Sequence, residues 1–580
     1  IMSEYNNRNI KGKIMDLKKT VLESIDDNII GNDALSLIVP VSDPALGDFA
    51  LPCFKFAKQL GKNPAAIAEA LSKSVKTEGV VEKTEVKGGY LNFFLNRTKT
   101  AEKVLEEARS AGANYGTENI GAGKTVIVEY SSINIAKPFH IGHLGTTVIG
   151  SALYKLFKFL GYNTIGINHL GDWGTQFGKL AVAIKLWAKK EDLASMNFNT
   201  RSLQELYVRF HTEAENHPEL EDAAREWFRK MEQGDPEALK ILNFCKEITL
   251  KDVKKVYERL HVHFDDWSGE SFYTDKMPAV LDDLRKKHLT VISEGAEMVD
   301  LSEYDMPPCL LVKSNGSTLY ATRDMAAAHW RKQKYNFDKC LYVVAYQQNL
   351  HFKQFFKVLE LEGCEWAKDL VHVAYGMVSL EEGSMSTRKG NAVWLEDVLD
   401  AAVKKAETVI REKSPSLENK AETAEAVGVG AVIFGALCNA RIKDITFSLD
   451  RVLNFDGETS PYLQYTHARC MSLFEKSGRS DDIASPADYG ALNNPSAFET
   501  VKLIQKYPEI LVDAAQKYEP SVISKYLIDL AQSFNRFYLE NRISGTDDSA
   551  KKARLVLTEC TEAILRSGLS LLGITPVDKM

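Results

Sequence analysis

The segment from Ser131 to His143 constrains the fold of this chain most, because it joins an apolar run directly to an amphipathic one. Before it, Thr125 to Val128 is a short apolar run typical of a buried strand. After it, apolar residues recur every four positions from Val148 to Leu160, which predicts one buried face of a helix. A strand followed at once by a helix predicts an α/β unit, and such sheets bind ligands at the loop between the two elements.

Two histidines, His140 and His143, flank Gly142 in this loop. A glycine lets a ligand approach the backbone closely, and the amino terminus of the following helix favours anions. Imidazoles at such a position can donate hydrogen bonds to phosphate oxygens as negative charge develops. The alternative is that both histidines only cap the helix. The residues alone therefore indicate a phosphate-binding turn without excluding a structural one.

Composition excludes several classes of function. At 580 residues, 44% hydrophobic and 26% charged, the chain is typical of a globular protein of about three or four domains. The formal charge of −7 argues against a uniformly basic coat, so any RNA contact must use local patches of Lys and Arg. The eight cysteines include no Cys-x-x-Cys pair, which argues against a zinc ribbon and a disulfide framework. Without a signal-like segment or an apolar run near the ~20 residues that span a bilayer, the expected location is cytoplasmic.

The pattern divides the chain into three parts. Residues 1–115 mix helical patterns with strand-like ones, among them residues 35–41, which predicts an α+β domain. Strands and helices alternate over residues 116–455, which predicts an α/β fold with a Rossmann-type parallel sheet. The predicted elements include a hairpin of residues 310–313 and 319–322, a strand over 371–380 and a core helix in the apolar run at 427–440. Charge-rich helices at about 190–262 interrupt this alternation and are interpreted as an insertion. Residues 456–580 are helical in pattern, which predicts an all-α bundle.

Two further polar, glycine-containing segments follow predicted strands. Asn168 to Gly178 comes after the strand-like Thr164 to Ile167 and suits a tight loop that shapes a pocket. A structural turn and a functional loop are equally compatible with these residues. Gly383 to Gly390 is a cationic Gly/Ser-rich loop, which can close over a nucleotide or simply be solvated.

Together these segments resemble the signatures of one family. Ser131 to His143 is similar to the HIGH signature of class I aminoacyl-tRNA synthetases, in the form typical of arginyl-tRNA synthetases. Asn168 to Gly178 is similar to that family's N-H-x-G-D-W-G-x-Q-x-G motif, and Gly383 to Gly390 resembles the KMSKS loop. Ser460 to Arg469 resembles the start of the anticodon-binding helical domain, and residues 1–115 resemble the domain that touches the tRNA elbow. A purely structural role for residues 1–115 is the alternative.

The resemblance covers nearly the whole chain and implies a specific reaction. ATP activates L-arginine to arginyl-adenylate with release of diphosphate, and the arginyl group then passes to the 3′-terminal adenosine of tRNA(Arg). Mg²⁺ would accompany ATP, with no structural metal held by the protein. The implied partners are tRNA(Arg), L-arginine and ATP, but neither a membrane nor DNA, and the chain is expected to be a monomer. Two alternatives are another adenylate-forming enzyme of this fold and an inactive RNA-binding paralogue, against which intact His140 and His143 argue.

The chain departs from the family pattern in two places. Ser384 and Arg388 stand where the loop has lysines, and Lys137 is thought to supply the missing cation. The resemblance does not rank Lys137, Arg388 and Lys389. In the family's Q-Q-D-L-H-F element Asn349 stands where Asp is expected, so any role of that carboxylate is in doubt.

The amino-acid pocket can be argued from charge. A guanidinium carries five planar donors and a permanent charge, so its site must supply carboxylates. Glu129, charged at the end of an apolar strand, needs a partner, and Tyr320 and Asp324 share a face if a helix has begun by Tyr320. Asp324 is equally explained as a helix-start carboxylate. By resemblance all three meet the arginine guanidinium, while Asn134 and Gln348 hold the α-amino and α-carboxyl groups.

The full set of predicted site residues follows from the resemblance. The residues expected to bind arginine are Glu129, Ser131, Asn134, Tyr320, Asp324 and Gln348. Those expected to bind ATP are His140, Gly142, His143, Gly145, His351, Ser386 and the pair Met377-Val378, and those expected to be catalytic are Lys137, His140, His143, Arg388 and Lys389. His351 is equally explained as a structural histidine. Tyr462, Tyr465 and Phe537 are candidates for stacking on anticodon bases, although each is also explained as a core residue.

Overall fold

The computed structural model describes residues 16–26, 32–41, 43–117, 119–189, 198–380, 393–543 and 545–580. The amino-terminal part is an antiparallel sheet, ordered β1-β2-β4-β3, with helices packed on it. Its elements are α1 (Leu17–Glu23), β1 (Val39–Pro40), β2 (Phe49–Pro52), α2 (Phe54–Leu60), α3 (Pro64–Ser74), β3 (Val81–Lys87), β4 (Tyr90–Leu95) and α4 (Arg97–Ala111). The strand expected over residues 35–41 is wrong except for β1. The 3-10 helix Asn32–Leu37 forms instead, and burial of Ala34 within it and of Ile38 directly after it does not alternate as it would in a strand.

The central part contains a parallel sheet of four strands, ordered β11-β10-β5-β6, which confirms the predicted fold class. Its strands are β5 (Thr125–Glu129), β6 (Asn163–Ile167), β10 (Lys339–Tyr342) and β11 (Leu370–His372); β7 (Val291–Ser293), β8 (Ala296–Val299) and β9 (Cys309–Val312) form a separate antiparallel sheet. Glu129 pairs with Ile167 on one side and with Tyr342 on the other. The carboxyl ends of three strands therefore lie side by side, and the loops that follow them meet.

Helices cover this sheet and extend from it. They are α5 (Leu144–Phe159), α6 (Thr175–Trp187), α7 (Thr200–Ala214), α8 (Glu219–Glu232), α9 (Pro236–Arg259), α10 (Met277–Lys286), α11 (Tyr320–Tyr335), α12 (Asn349–Leu361), α13 (Leu395–Lys413), α14 (Lys420–Leu437) and α15 (Leu449–Val452). Within residues 198–262, where the sequence predicts a helical insertion, the structure contains helices and no strand. The apolar run at 427–440 falls mostly in α14, which is buried as expected of a core helix.

One predicted strand, residues 371–380, is two strands in different sheets. β11 ends at His372, whereas β12 (Val378–Leu380) pairs with β13 (Ile445–Phe447). Gly376 lies between them, where a Cβ atom would be 2.3 Å from the carbonyl oxygen of Lys443. Only a glycine allows the chain to pass so close to that backbone as it leaves the central sheet.

The carboxy-terminal part is a helix bundle, as predicted. Its helices are α16 (Ser460–Ser477), α17 (Pro495–Lys517), α18 (Ser521–Glu540) and α19 (Asp548–Leu572). All eight cysteines are free thiols and six are buried, which fits the prediction that they are mostly small core residues. Among the described helices, none combines the length and the apolar composition needed to cross a membrane.

Candidate active site

The loop after β5 has an unusual backbone. Ser131, Ser132 and Ala136 all have positive φ angles, of 67°, 44° and 58°. Non-glycine residues in this region are uncommon and cluster at functional sites. The amide of Ile135 donates to the carbonyl of Gly171 at 3.1 Å, and the amide of Gly171 donates to the carbonyl of Ile133 at 2.8 Å. The two signature loops predicted from the sequence therefore hold each other in place.

His140 and His143 lie together at the turn that leads into α5. Their ring centroids are 4.0 Å apart, and the backbone amide of Gly142 donates to Nδ1 of His140 at 3.1 Å. The backbone amide of His140 lies 3.2 Å from Nδ1 of His143. Burial lowers the pKa of both rings, that of His143 to about 3, so both are neutral at pH 7. Because Nδ1 of His140 accepts a hydrogen bond, its proton is on Nε2, which can donate to an anion.

Two other positions predicted to bind ATP have packing roles in the structure. Gly145 is buried in α5, where a Cβ atom would be 3.0 Å from the ring of Tyr375 and 3.8 Å from Val378. Val378 is itself buried in β12, and the amide of Met377 donates to Asp444 at 2.7 Å. The contacts with Tyr375 and Val378 explain why a glycine suits position 145. Contact of Gly145, Met377 and Val378 with ATP remains a prediction.

The predicted cations are only partly described. Ser386, Arg388 and Lys389 fall in residues 381–392, outside the described residues. Lys137 is half-buried in the loop before the histidines, and its charge lowers the pKa of His143 and of Glu270. Lys137 therefore lies near the imidazole turn, and its action on a ligand remains a prediction.

Asp324 and His351 face each other across α11 and α12. Nε2 of His351 is 2.6 Å from Oδ2 of Asp324, so His351 has a protein partner. Burial raises the pKa of Asp324, but the hydrogen bond and charge of His351 outweigh it and keep that pKa low. Helix α11 begins at Tyr320, so Tyr320 and Asp324 share a face as the sequence suggested, with Tyr320 67% exposed. The second strand expected over 319–322 is wrong, because this helix starts there.

Glu129 has a partner inside the protein that sequence reasoning missed. Its Oε2 is 2.5 Å from Nη1 of Arg331, which is fully buried. Burial alone would lower the pKa of Arg331, but the Glu129 carboxylate raises it. Glu129 does need a partner, but Arg331 meets that need within the protein, so the need does not support a contact with arginine, and that contact remains a prediction. Arg331 follows Asp324 by two helical turns on α11, a spacing that could have revealed it.

The hydroxyl of Ser131 is also occupied by protein partners. It lies 2.9 Å from Oγ1 of Thr147 and 2.6 Å from the hydroxyl of Tyr257, and the residue is buried. In contrast, the buried Ser132 hydroxyl has no hydrogen-bond partner among the described residues. Asn134 and Gln348 are exposed beside this loop and at the start of α12, respectively. The structure therefore favours Ser132 over Ser131 as the hydroxyl available to a ligand.

A buried polar network connects the second signature loop with the segment around Glu270. Asp172, 1% exposed, accepts from the amide of Ser271 at 2.9 Å and from Nζ of Lys246 at 2.7 Å. Glu270 pairs with Arg323 at 3.0 Å, and burial raises the pKa of Glu270 to about 7. The sequence indicated the segments that contain Asp172 and Glu270 but not these contacts.

The three aromatic candidates for RNA stacking differ in exposure. Phe537 is fully buried, so the proposal that it stacks on a base is wrong and it is a core residue. Tyr462 is half-buried, and its hydroxyl accepts a hydrogen bond from Asn535 at 2.9 Å. Tyr465 is 45% exposed, and the guanidinium of Arg469 lies 5.0 Å from its ring centroid. Tyr465 is therefore the most exposed of the three rings, and stacking on a base remains a prediction for it.

A parallel sheet that carries paired imidazoles after its first strand, next to an acidic pocket and a helical bundle, is the architecture of a class I aminoacyl-tRNA synthetase. Comparisons with known families agree. The family described as tRNA synthetases class I (R), catalytic domain, matches residues 105–449. The DALR anticodon binding domain matches residues 463–580, and the arginyl tRNA synthetase N terminal domain matches residues 15–95.

Individual relatives match over almost their full length. The chain is 48% identical to the arginine–tRNA ligase of Alkaliphilus metalliredigens over 570 residues, 98% of this chain and 99% of the relative. It is 49% identical to that of Clostridioides difficile over 571 residues, 98% of each chain. The solved arginyl-tRNA synthetase of Thermus thermophilus superposes with a TM-score of 0.79 at 25% identity, covering 97% of this chain and 100% of the other. The chain belongs to the arginyl-tRNA synthetase family, which confirms the resemblance found in the sequence.

Proposed function

We propose that this chain charges tRNA(Arg) with L-arginine through an arginyl-adenylate made from ATP. The observation that carries the proposal is the placement of two carboxylates, Asp324 and Glu129, near the second signature loop, which hydrogen-bonds to the loop that leads to the paired imidazoles. The charges of both act on His169 from the second signature loop, so both lie at one site. A pocket with two carboxylates suits a guanidinium, because an unpaired buried cation is costly.

The first step is a displacement at phosphorus. A carboxylate oxygen of arginine attacks the α-phosphate of ATP, the new O–P bond forms, and the bond to diphosphate breaks. Neutral His140 and His143 donate hydrogen bonds to the phosphate oxygens as their charge grows, and Lys137, Arg388 and Lys389 offset the charge of the departing diphosphate. Mg²⁺ accompanies ATP and neutralises part of its charge. In the second step the terminal ribose hydroxyl of tRNA attacks the arginyl carbonyl and AMP leaves.

In this proposal the substrate guanidinium lies between Tyr320, Asp324 and Glu129. Asp324 exchanges part of its hydrogen bonding with His351 for the substrate. Glu129 has a second oxygen besides the one that faces Arg331, so it can hold Arg331 and the substrate together. Asn134 and Gln348, both exposed at the edge of the pocket, hold the α-amino and α-carboxyl groups.

We propose RNA contacts for the two terminal parts of the chain. Residues 1–115 touch the tRNA elbow, and the bundle of residues 456–580 binds the anticodon with Tyr465 and Arg469. We also propose that the chain acts as a monomer in the cytoplasm.

Diphosphate exchange into ATP tests this function directly. The purified chain is assayed with each of the twenty amino acids, with and without tRNA(Arg). We expect exchange with arginine and with no other amino acid, because no other side chain matches two carboxylates with planar donors. Exchange with a different amino acid, or with none under any condition, contradicts the proposal.

The family resemblance further implies that exchange requires bound tRNA. A physical account is that the active geometry is a minor state of the free enzyme, which tRNA stabilises by binding it preferentially. Enzyme stripped of RNA should then exchange little diphosphate with arginine alone. Exchange at the full rate without tRNA would contradict this dependence on tRNA but not the proposed reaction.

A further inference from the structure

Three different metal-ligating side chains meet where helix α12 ends. Nε2 of His329 lies 2.9 Å from Oε2 of Glu362, and Sγ of Cys364 lies 3.8 Å from the same oxygen. All three candidate ligand atoms lie within 4.8 Å of one another. None of these residues belongs to the proposed active site. Sequence reasoning gave no sign of this group, because His329 precedes Glu362 by 33 positions and the three residues lack the spacing of a zinc ribbon.

The local backbone explains how the group forms. Glu362 caps α12, and Gly363 follows with φ +90°, a left-handed conformation that suits glycine. The chain reverses there, which brings Cys364 back beside Glu362. His329 lies on α11. Its imidazole packs edge-on against the ring of Trp366, with the ring centroids 5.4 Å apart. The imidazole is therefore held in orientation by packing on one face.

We propose that His329, Glu362 and Cys364 bind one Zn²⁺ ion. Zinc ligands at ~2.0–2.3 Å in a tetrahedron lie roughly 3.3–3.7 Å from one another, and the two measured separations are within about 0.5 Å of that range. Thiolate and imidazole together select zinc over the hard cations Mg²⁺ and Ca²⁺, which take oxygen ligands. The fourth position falls to water, because the nearby carboxylate of Asp283 is already paired with Lys287 at 2.7 Å.

The charges of the group suit a divalent ion. Glu362, 5% exposed, brings one negative charge, and the Cys364 thiol brings another once it has released its proton to solvent on binding. The nearby cation Lys287 is already paired with Asp283 at 2.7 Å and donates to the Glu362 carbonyl at 2.7 Å. Its charge is therefore offset locally, and the zinc ion with its two anionic ligands is neutral.

The bound ion would join α11 to α12. These helices also carry Asp324 and His351, so the ion would stabilise the helix pair that forms one wall of the proposed arginine pocket. The site is structural and not catalytic, since it does not touch the reacting groups. The zinc proposal does not depend on the proposed reaction, and each can be tested without the other.

The test is zinc binding by the full chain. Protein stripped with a chelator is dialysed against ZnCl2, and zinc per chain is measured by atomic emission together with the unfolding temperature. We expect one zinc per chain and a higher unfolding temperature in the loaded protein. His329→Gln and Cys364→Ser should each weaken binding at least about tenfold. Cys438→Ser is the matched control, because Cys438 is also a half-buried free thiol but lies away from the group.

Cobalt gives a second readout that needs no substitution. Co²⁺ in the stripped wild-type chain should show a thiolate-to-metal charge-transfer band and the visible bands of a tetrahedral site. This remains decisive if Cys364→Ser fails to fold. Zinc well below one per chain, equal binding by Cys364→Ser and Cys438→Ser, or a cobalt spectrum without thiolate absorption overturns the proposal.

Discussion

At the scale of the residue, the paired imidazoles have a hydrogen-bond arrangement that suits catalysis. In the proposed reaction, His143→Ala removes one hydrogen-bond donor to the growing charge on the α-phosphate. We expect turnover in diphosphate exchange to fall by about 100- to 1000-fold, ~3–4 kcal/mol, with little change in the KM for ATP. Exchange kinetics at varied ATP measure both quantities. The exposed His217→Ala should behave as wild type, and a folded His143→Ala within about threefold of normal turnover rules out this role.

The burial of His143 also predicts a dependence of stability on pH. Its pKa is about 3 in the folded chain, against ~6.5 when unfolded, because burial and the neighbouring His140 disfavour the charged form. Between these values the unfolded chain binds a proton that the folded chain does not. The free energy of unfolding should therefore fall with decreasing pH below ~6.5, by at most about 1.4 kcal/mol per pH unit from this residue.

His143→Gln isolates that contribution, because glutamine does not titrate. Urea unfolding of both proteins between pH 7 and pH 5 measures it. We expect the wild type to lose more stability than the variant as pH falls. Parallel losses in the two proteins contradict the depressed pKa.

Asp324 should determine the use of arginine. Asp324→Asn removes the charge opposite the guanidinium and weakens the contact with His351. Truncating one partner of a buried charge pair costs on the order of 2–5 kcal/mol, so kcat/KM for arginine should fall by about 30-fold or more while the KM for ATP is nearly unchanged. Asp282→Asn, at an exposed position, is the control. Unchanged arginine kinetics in folded Asp324→Asn would place the guanidinium site elsewhere.

At the scale of the element, the site depends on the contact between the loops that follow β5 and β6. A Cβ atom on Gly171 would lie 2.5 Å from Oδ1 of Asn134 and 3.3 Å from its Cα. Gly171→Ala should therefore displace Asn134 and lower kcat/KM for arginine at least about tenfold, ~1.4 kcal/mol. Gly79→Ala, where a Cβ atom meets nothing within 4 Å, is the matched control. Equal kcat/KM for arginine in the two variants would show that activity does not depend on the contact between these loops.

At the scale of the whole molecule, the amino-terminal part is attached to the carboxy-terminal bundle through α4. Arg97 Nη1 donates to the carbonyl of Asn493 at 2.7 Å, Tyr489 donates to Glu106, and the Cys560 thiol contacts the carbonyl of Leu105 at 3.4 Å. The boundary predicted near residue 115 assigns α4 to the amino-terminal domain. In the structure, however, α4 also contacts the carboxy-terminal bundle.

Two truncations separate tRNA binding from stability. Deletion of residues 1–95 removes the amino-terminal sheet but keeps α4. We expect this deletion to weaken tRNA binding and to lower diphosphate exchange, and added tRNA should partly restore the exchange. Deletion of residues 1–111 also exposes the bundle surface that α4 covers. Each fully buried large side chain of α4, such as Leu105, contributes about 1.5–3 kcal/mol, so the longer deletion should unfold at a lower temperature. Filter binding and thermal unfolding measure the two effects, and equal unfolding temperatures contradict the role of α4.

The sequence by itself determined the elements and the family. The apolar run before Ser131 and the four-residue spacing after His143 predicted β5 and α5, because these periods follow from backbone geometry alone. The ordered signatures indicated the arginyl-tRNA synthetase family over nearly the full chain. Boundaries failed where local patterns were ambiguous, as at residues 371–380, where one apolar run contains two strands of different sheets.

Only the tertiary structure decided which groups are partners. Glu129 faces Arg331, Asp324 faces His351, and the Ser131 hydroxyl contacts Tyr257, although each pair is far apart in the chain. A sequence shows which side chains carry charge or hydrogen-bonding atoms. Whether such a group is free for a ligand depends on distances of a few ångströms across the packed interior, and packing fixes those distances only after the elements have come together.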